Sequence, residues 1–236
     1  MKIFAKIRFY WGAFVISFVI AVIMIPAIFL FNKKKATIMH HLNKLILFLM
    51  GAKTSQEGTI DEEADIYVMN HQGIMDIIAF ESLQNNALRW VAKKELFDTI
   101  WYGNLLRWGD MISLDRGSRT GLIKLMKDVK YTIENTERSI VIFPEGTRAK
   151  DQKLLPFKQG TNMIAKKLKL KVQPIIITGS KWVLNEHIKT AHSGTIHYKF
   201  LDTIDVATAD ENWFEELHET MQKVIDDELS NNHRSR

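Results

Sequence analysis

Cysteine is absent from the 236-residue sequence, and acidic residues are absent from its first 56 positions. Without cysteine the chain cannot form a disulfide framework, a thiolate metal site or a cysteine nucleophile. Residues 1–56 carry eight basic side chains, whereas residues 57–236 carry 24 basic and 27 acidic ones, so one end supplies the whole positive excess. A basic flank around apolar sequence is typical of contact with an anionic membrane surface, and the slightly acidic remainder argues against nucleic-acid binding.

A long stretch near the N-terminus lacks charge altogether, from residue 9 to residue 31. A helix of this length rises roughly 30 Å, enough to cross the hydrocarbon of a bilayer. The run exceeds the apolar core of a signal peptide. A shorter apolar run at residues 44–51 continues an amphipathic segment from residue 37. We therefore predict an N-terminal two-helix membrane motif.

The orientation of this motif stays open, because basic residues flank the long run on both sides. One arrangement is a single membrane span followed by an interfacial helix. The other is a helical hairpin that enters and leaves one leaflet, and a kink at Pro26 would favour it.

Short apolar runs alternate with amphipathic stretches after residue 57. We predict strands at residues 64–70, 87–92, 111–114, 139–143, 172–178 and 195–200. We predict helices at residues 75–83, 95–108, 117–134, 160–168 and 212–229. This alternation indicates an α/β domain with a largely parallel mixed sheet flanked by helices. The chain is thus expected to consist of membrane-anchoring helices in residues 1–56 and an α/β domain in residues 57–236.

His71 follows the first predicted strand, and Asp76 lies five residues later at the start of a helix. A carboxylate bonded to one imidazole nitrogen sets the tautomer and leaves the other nitrogen free to accept a proton. The sequence contains no G-x-S-x-G elbow and no cysteine, so the pair has no enzyme nucleophile of those kinds. The pattern favours direct activation of a substrate hydroxyl, although a His71 that merely caps the helix is an equally simple interpretation.

Two further clusters follow strands. The segment FPEGTR, Phe143 to Arg148, combines a flexible glycine with an arginine whose planar donors match a phosphate. The segment GDMISLDR ends in Asp115 and Arg116, a second candidate for an anion. Ordinary turns with solvated arginines would give the same patterns. The carboxyl ends of parallel strands meet at one edge of a sheet, so the clusters are expected to converge there.

Together these residues resemble the glycerolipid acyltransferase family. Its first motif, N-H-x4-D, is matched by Asn70, His71 and Asp76, and its F-P-E-G-T-R motif is matched without change. Its second motif, a glycine followed by a D-R pair, is matched by Gly109, Asp115 and Arg116. Its fourth motif, a strand with a proline before aliphatic residues, is matched by Val172, Pro174 and Ile175. The family's second motif has an aromatic residue before its final aliphatic-Asp-Arg sequence, and this chain has Ile112 and Ser113 there. This difference bears on substrate preference and leaves the enzyme class unchanged. The resemblance covers about residues 60–180.

The resemblance implies a role for each motif residue. His71 is the general base and Asp76 orients it. The substrate site comprises Asn70, Arg116, Glu145, Gly146, Thr147 and Arg148, with the two arginines and Glu145 on the glycerol phosphate. The acceptor is lysophosphatidate in the bilayer, the donor is acyl-CoA or acyl-carrier protein, and the product is phosphatidic acid. The family uses no metal or other cofactor, and a bacterial member is expected on the inner membrane with its active site on the cytoplasmic side.

Three alternatives remain at this stage. The acceptor could be glycerol 3-phosphate or another lysophospholipid. A His/Asp metallohydrolase would need more ligands, for which His187, His192 and His197 recur at five-residue intervals. A membrane scaffold without activity would leave the His71 and FPEGTR motifs without a purpose.

Overall fold

The computed structural model describes residues 2–232, and its first elements are the N-terminal helices. Helix α1 (Lys2–Phe18) continues through a π-helical segment (Val19–Met24) into α2 (Ile25–Leu30), and a 3-10 turn (Asn32–Lys34) leads into α3 (Lys35–Met50). The π segment has a local cause. Pro26 has no N–H to donate to the carbonyl one turn back, and the preceding Ile25 N–H bonds instead to the oxygen of Ile20. The run Lys2–Leu30 has the length and composition of a membrane-crossing helix.

A mixed sheet forms the body of the protein. Its strands are β1 (Ala52–Glu57), β2 (Ile66–Met69), β3 (Leu88–Lys93), β4 (Ile112–Leu114), β5 (Ser139–Ile142), β6 (Lys171–Thr178), β9 (Gly194–Phe200) and β10 (Ile204–Asp205). The order is β1-β9-β6-β2-β5-β3-β4, with β10 on β6. Only the contacts of β6 with β9 and β10 are antiparallel among the described pairs of this sheet. A small hairpin, β7 (Leu184–Asn185) and β8 (Thr190–Ala191), stands apart.

Helices cover both faces of the sheet. They are α4 (Ile74–Leu83), α5 (Lys94–Phe97), α6 (Tyr102–Trp108), α7 (Arg119–Asn135), α8 (Gln159–Leu168), α9 (Ser180–Val183) and α10 (Trp213–Asn232). One core joins the N-terminal helices, α4 and α6 to the sheet, and the other lies under α7, α8 and α10. The predicted fold class, a largely parallel mixed sheet flanked by helices behind an apolar N-terminal motif, is confirmed.

The predicted single helix at residues 95–108 is wrong, because the chain forms two short helices, α5 and α6, there. The break has a steric and a polar cause. The Cα of Gly103 approaches α5 so closely that an added Cβ would lie 2.2 Å from the oxygen of Phe97. Thr99 Oγ accepts the Gly103 N–H at 3.0 Å and so closes the turn between the two helices.

Strand β1 and the β7–β8 hairpin were not predicted. Strand β1 reads AKTSQE, a polar sequence that lacks an apolar alternation, and it lies at the sheet edge parallel to β9. The sheet therefore begins at Ala52, inside the segment assigned to the membrane motif. The division between residues 56 and 57 stays a prediction.

Candidate active site

His71 and Asp76 meet in the turn between β2 and α4. His71 Nδ1 lies 2.8 Å from Asp76 Oδ2, and the same oxygen accepts the backbone N–H groups of Gln72 and Gly73 at 2.6 and 2.9 Å. An oxygen that already accepts two N–H donors carries no hydrogen of its own, so Nδ1 is the hydrogen donor. The lone pair of Nε2 is then free for a proton. Asp76, rather than His71, caps the helix.

The aspartate is deeply buried, with a side-chain exposure of 0%, whereas 13% of the His71 side chain reaches solvent. Asp76 Oδ1 has no hydrogen-bond partner among the described residues. The backbone oxygen of Asp76 accepts the hydroxyl of Tyr198 at 2.9 Å, which ties the first turn of α4 to β9. The dyad is therefore rigidly placed at the carboxyl edge of the sheet.

An aromatic stack holds the imidazole from one face. The rings of His71 and Phe143 are 3.8 Å apart and nearly parallel, and Trp90 stacks on Phe143 at 5.5 Å. The Trp90 indole N–H donates to Glu81 Oε1 at 2.6 Å. Burial raises the pKa of the Glu81 carboxyl to about 7. These contacts restrict rotation of the His71 ring, and the hydrogen bond to Asp76 does the same.

The Glu145 side chain links three loops through hydrogen bonds. Its Oε1 accepts the His71 backbone N–H at 2.7 Å, and its Oε2 accepts the Leu155 N–H at 2.8 Å. Only 1% of the residue is exposed. Burial raises the pKa of the Glu145 carboxyl to about 7, although the two N–H groups favour its charged form. A further bond from Ala149 N–H to the His71 oxygen, 2.8 Å, joins the same loops.

Arg148 forms an ion pair at the edge of the cleft. Its Nη1 donates to Glu186 Oε2 at 2.7 Å, and 41% of its side chain is exposed. Glu186 belongs to the β7–β8 hairpin, and its Oε1 accepts the backbone N–H of Ile74 at 3.3 Å. The Glu186 carboxylate thus accepts hydrogen bonds from a guanidinium and from a backbone N–H at the start of α4. Donors of both kinds also bind phosphate oxygens.

Arg116 contacts the FPEGTR loop. Its guanidinium donates to the backbone oxygen of Gly146. Gly146 has φ +70°, a conformation that side chains disfavour, and an added Cβ would lie 3.4 Å from the Lys158 side chain. A glycine therefore allows the loop, Arg116 and Lys158 to lie close together.

A cavity of about 1110 Å³ opens beside His71. Exposed cationic side chains lie along it: Lys93, Arg116, Arg148, Lys150 and Lys158. Buried apolar side chains form another part of its wall, among them Met39, Trp90, Leu105, Leu106 and Met111. The cavity thus combines a region for an anion with a region for an apolar chain, and Met39 brings the N-terminal motif into its lining.

The family model described as Acyltransferase matches residues 51–178. The chain belongs to the acyltransferase family. A 1-acyl-sn-glycerol-3-phosphate acyltransferase of Helicobacter pylori is 34% identical over 218 residues, which cover 92% of each chain. The enzyme of that name from Cocos nucifera is 29% identical over 75% of this chain and 56% of its own length. The crystal structure of a 1-acyl-sn-glycerophosphate (LPA) acyltransferase from Thermotoga maritima has a TM-score of 0.78 at 22% identity, over 98% of both chains.

In this acyltransferase the structure brings most of the predicted site residues together. His71, Arg116, Gly146, Thr147 and Arg148 line the cavity, with Asp76 directly behind His71. Their roles toward a substrate stay predictions.

Asn70 and Glu145 lie elsewhere in the acyltransferase. The Asn70 side chain is buried and exchanges two hydrogen bonds with the backbone of Ile177 on β6, at 2.9 and 2.7 Å. Neither it nor Glu145 belongs to the cavity lining. Both side chains bond to the protein backbone, and the substrate contact that the resemblance implied stays a prediction.

Glu186 and Trp90 are the residues that the sequence did not single out. Trp90 lies in the predicted strand at 87–92, in the family-like segment RWVAKKEL, and its sequence context did not place its ring near His71. Glu186 lies in a hairpin with no motif of its own. The NEH sequence there offered no signal that its carboxylate would reach an arginine 38 positions away.

The histidines considered as metal ligands have separate environments in the acyltransferase. His187 lines the cavity, His192 stacks on Trp182, and the ring of His197 contacts Ser55 at 2.9 Å. Within residues 2–232, one group of His and acidic side chains has ligand atoms within 4.8 Å of one another: Glu57, His197 and Glu228. The ammonium of Lys199 lies 2.8 Å from Glu57 and 3.3 Å from Glu228. A cationic side chain of the protein therefore already forms ion pairs with both carboxylates.

Proposed function

We propose that the chain transfers a fatty acyl group from acyl-CoA or acyl-carrier protein to the sn-2 hydroxyl of 1-acyl-glycerol 3-phosphate, which makes phosphatidic acid. The observation that carries this proposal is the His71–Asp76 pair, 2.8 Å apart, at a cavity with both cationic and apolar walls. The names of the Helicobacter and Cocos relatives support the same acceptor.

His71 acts as the general base in the proposed reaction. Its free Nε2 takes the proton of the sn-2 hydroxyl, and that oxygen attacks the thioester carbonyl. The tetrahedral intermediate then expels the thiolate, which takes the proton from the imidazolium. The new ester bond replaces the thioester bond, so no acyl-enzyme is formed. The buried Asp76 carboxylate stabilises the imidazolium while it exists.

The cationic side of the cavity holds the phosphate. Arg116 and Arg148 supply planar donors that suit phosphate oxygens, and Thr147 and Lys158 lie beside them. For Arg148 to bind the phosphate, its ion pair with Glu186 must open. The apolar wall holds the acyl chain, and the cavity volume of about 1110 Å³ lies slightly above the usual range of ligand sites, roughly 300–1,000 Å³.

The N-terminal helices anchor the protein in one leaflet. Arg8 near the start of the long helix donates to Ser193 at 2.8 Å, and Phe29 near its end packs on Trp108 at 4.7 Å. The helix therefore lies along the α/β domain over its whole length. A perpendicular span would place that charged domain at the depth of the hydrocarbon, which is costly. Large apolar side chains along the other side of the helix face outward: Ile3, Phe4, Ile7, Trp11, Phe14 and Phe18.

This arrangement supports the hairpin in one leaflet over the single span. A bacterial protein of this kind would lie on the inner membrane with the site on the cytoplasmic side, where the soluble thioester donors are made. The eight basic side chains of residues 1–56 suit the anionic headgroups of that surface.

The first test is phosphatidate formation from lysophosphatidate and palmitoyl-CoA by purified, detergent-solubilised protein. The His71→Ala variant should lose about 10²–10⁴ in rate, because it removes the general base. A His41→Ala variant removes an exposed imidazole on α3 and should keep full activity.

The substrates are resolved by parallel arms with acyl-carrier protein, glycerol 3-phosphate and lysophosphatidylcholine. A folded His71→Ala variant with nearly full activity would rule out the mechanism. If the wild-type protein acylates only another acceptor, lysophosphatidate is ruled out as the acceptor. The proposed catalytic role of His71 and Asp76 would still stand.

A further inference from the structure

The turn between α5 and α6 presents large apolar side chains to the surroundings. Ile100 is 79% exposed and Trp101 is 65% exposed, and Leu96 on α5 is 39% exposed. Isolated exposed apolar residues are common on soluble proteins. Three of them within six residues of a short turn form a patch, and patches of this kind mark interaction sites.

The turn is held in a defined shape. Thr99 Oγ donates to the oxygen of Leu96 at 2.7 Å and accepts the N–H of Gly103 at 3.0 Å. Arg107 reaches back from α6 to the oxygen of Phe97. These polar contacts keep Ile100 and Trp101 at the tip of the turn, instead of allowing them to fold onto the domain.

The patch adjoins the apolar surface of the N-terminal helices. Helix α6 packs against α2 and the π segment, and the rings of Trp108 and Phe29 are 4.7 Å apart. Next to this contact, Phe29, Leu30 and Phe31 are each between 59% and 69% exposed. The turn thus continues the surface that we assign to the bilayer.

The same turn borders the active-site cavity. Leu96 and Tyr102, on either side of it, line the cavity, as do Leu105 and Leu106 further along α6. A lipid chain that leaves the bilayer at this turn would therefore meet apolar cavity wall at once.

We propose that the α5–α6 turn, residues 98–101, inserts into the lipid bilayer as a membrane contact separate from the N-terminal helices, and that it forms the lip over which the acyl chain of the acceptor enters the cavity. This inference rests on the proposed function, which supplies a bilayer and a lipid acceptor. Trp101 suits the occupant, because tryptophan favours the boundary between headgroups and hydrocarbon.

Depth measurements test the contact directly, since the cysteine-free chain accepts single labelled cysteines without background. The full-length protein is labelled with an environment-sensitive fluorophore at Ile100→Cys, in vesicles of phosphatidylethanolamine and phosphatidylglycerol. Matched labels at Phe48→Cys, 78% exposed on α3, and Ile123→Cys, 54% exposed on α7, report the anchor and the opposite face.

The label at residue 100 should be quenched by nitroxide-bearing lipids as strongly as the label at residue 48, and the label at residue 123 only by a water-soluble quencher. Aqueous quenching at residue 100 together with lipid quenching at residue 48 would overturn the inference and leave the proposed anchor intact. Aqueous quenching at both positions would overturn both.

Kinetics test the lip. The double variant Ile100→Ser, Trp101→Ser should lose about tenfold in kcat/KM for long-chain lysophosphatidate in vesicles, mainly through KM, and keep kcat/KM for a short-chain, water-soluble lysophosphatidate. Ile123→Ser is the matched control and should change neither. An equal loss with both acceptors, or no loss with either, would overturn the inference, whereas inactivity of the wild-type protein would refute the proposed function instead.

Discussion

Glu145 shows how a motif residue can support a site without facing it. Its two carboxylate oxygens accept the N–H groups of His71 and Leu155, at 2.7 and 2.8 Å. This geometry places the backbone of the proposed base, and through it the imidazole. We therefore regard Glu145 as a positioning residue.

Glu145→Gln should lower kcat roughly tenfold or more with little change in KM, because the amide offers one acceptor for two buried N–H donors, and a buried unsatisfied donor costs about 1–3 kcal/mol. Steady-state kinetics with both substrates measure this. The exposed Glu137→Gln is the control. A raised KM for lysophosphatidate at unchanged kcat would instead restore the substrate contact that the resemblance implied.

Glu186 competes with the acceptor phosphate for Arg148 in the proposed site. The ion pair is partly exposed, at 41% for Arg148 and 27% for Glu186, so its free energy is on the order of 1 kcal/mol. Glu186→Gln should therefore lower KM for lysophosphatidate about threefold to tenfold and strengthen inhibition by inorganic phosphate. Glu62→Gln, an exposed carboxylate elsewhere, should leave both unchanged. A higher KM in Glu186→Gln would show that Glu186 helps to bind the acceptor.

At the level of elements, the break between α5 and α6 depends on Gly103. A Cβ at this position would lie 2.2 Å from the oxygen of Phe97, so the two helices would have to separate. Gly103→Ala should lower the free energy of unfolding by about 1–3 kcal/mol. The thermal midpoint in detergent should then fall by roughly 2–12 °C.

Gly117→Ala is the control for this substitution. An added Cβ at Gly117 meets only the side chain of Asp115, at 3.7 Å. The variant should keep its thermal midpoint. An unchanged midpoint in Gly103→Ala would mean that the turn is free to open, and would weaken the case for a defined lip.

For the whole molecule, the N-terminal helices are part of the fold as well as the anchor that we propose. Val19, Ile28 and Ile46 belong to the same core as Tyr67 and Phe80 of the α/β domain. A chain of residues 51–236 should therefore aggregate, because the apolar surfaces of α4, α6 and the β7–β8 hairpin that the N-terminal helices contact would be exposed. Solubility and far-ultraviolet circular dichroism measure this.

The matched comparison keeps the helices but makes their outer surface polar, with Phe14→Ser and Phe48→Ser. This variant should fold and bind vesicles less tightly. A soluble, active protein from residues 51–236 would show that the α/β domain folds without the N-terminal helices. Their packing in the shared core would then not be needed for folding.

The sequence by itself determined the class of fold and the dyad, because both depend on local information. His71 and Asp76 are five positions apart across one turn, so a strand before them and a helix after them suffice to bring them together. Apolar periodicity predicted the central strands, and the uncharged run from residue 9 to residue 31 predicted the long helix.

Only the tertiary structure decided how the long helix lies against the α/β domain, which backbone groups bond to Glu145 and which carboxylate meets Arg148. Glu145 bridges to a residue 74 positions away, and Arg148 to one 38 positions away. Such contacts depend on how strands and loops are arranged in space, and spacing along the chain carries no information about them. Basic residues likewise flank the helix on both sides, so charge carried no information about its place, whereas its contacts with Ser193 at one end and Trp108 at the other place it along the α/β domain.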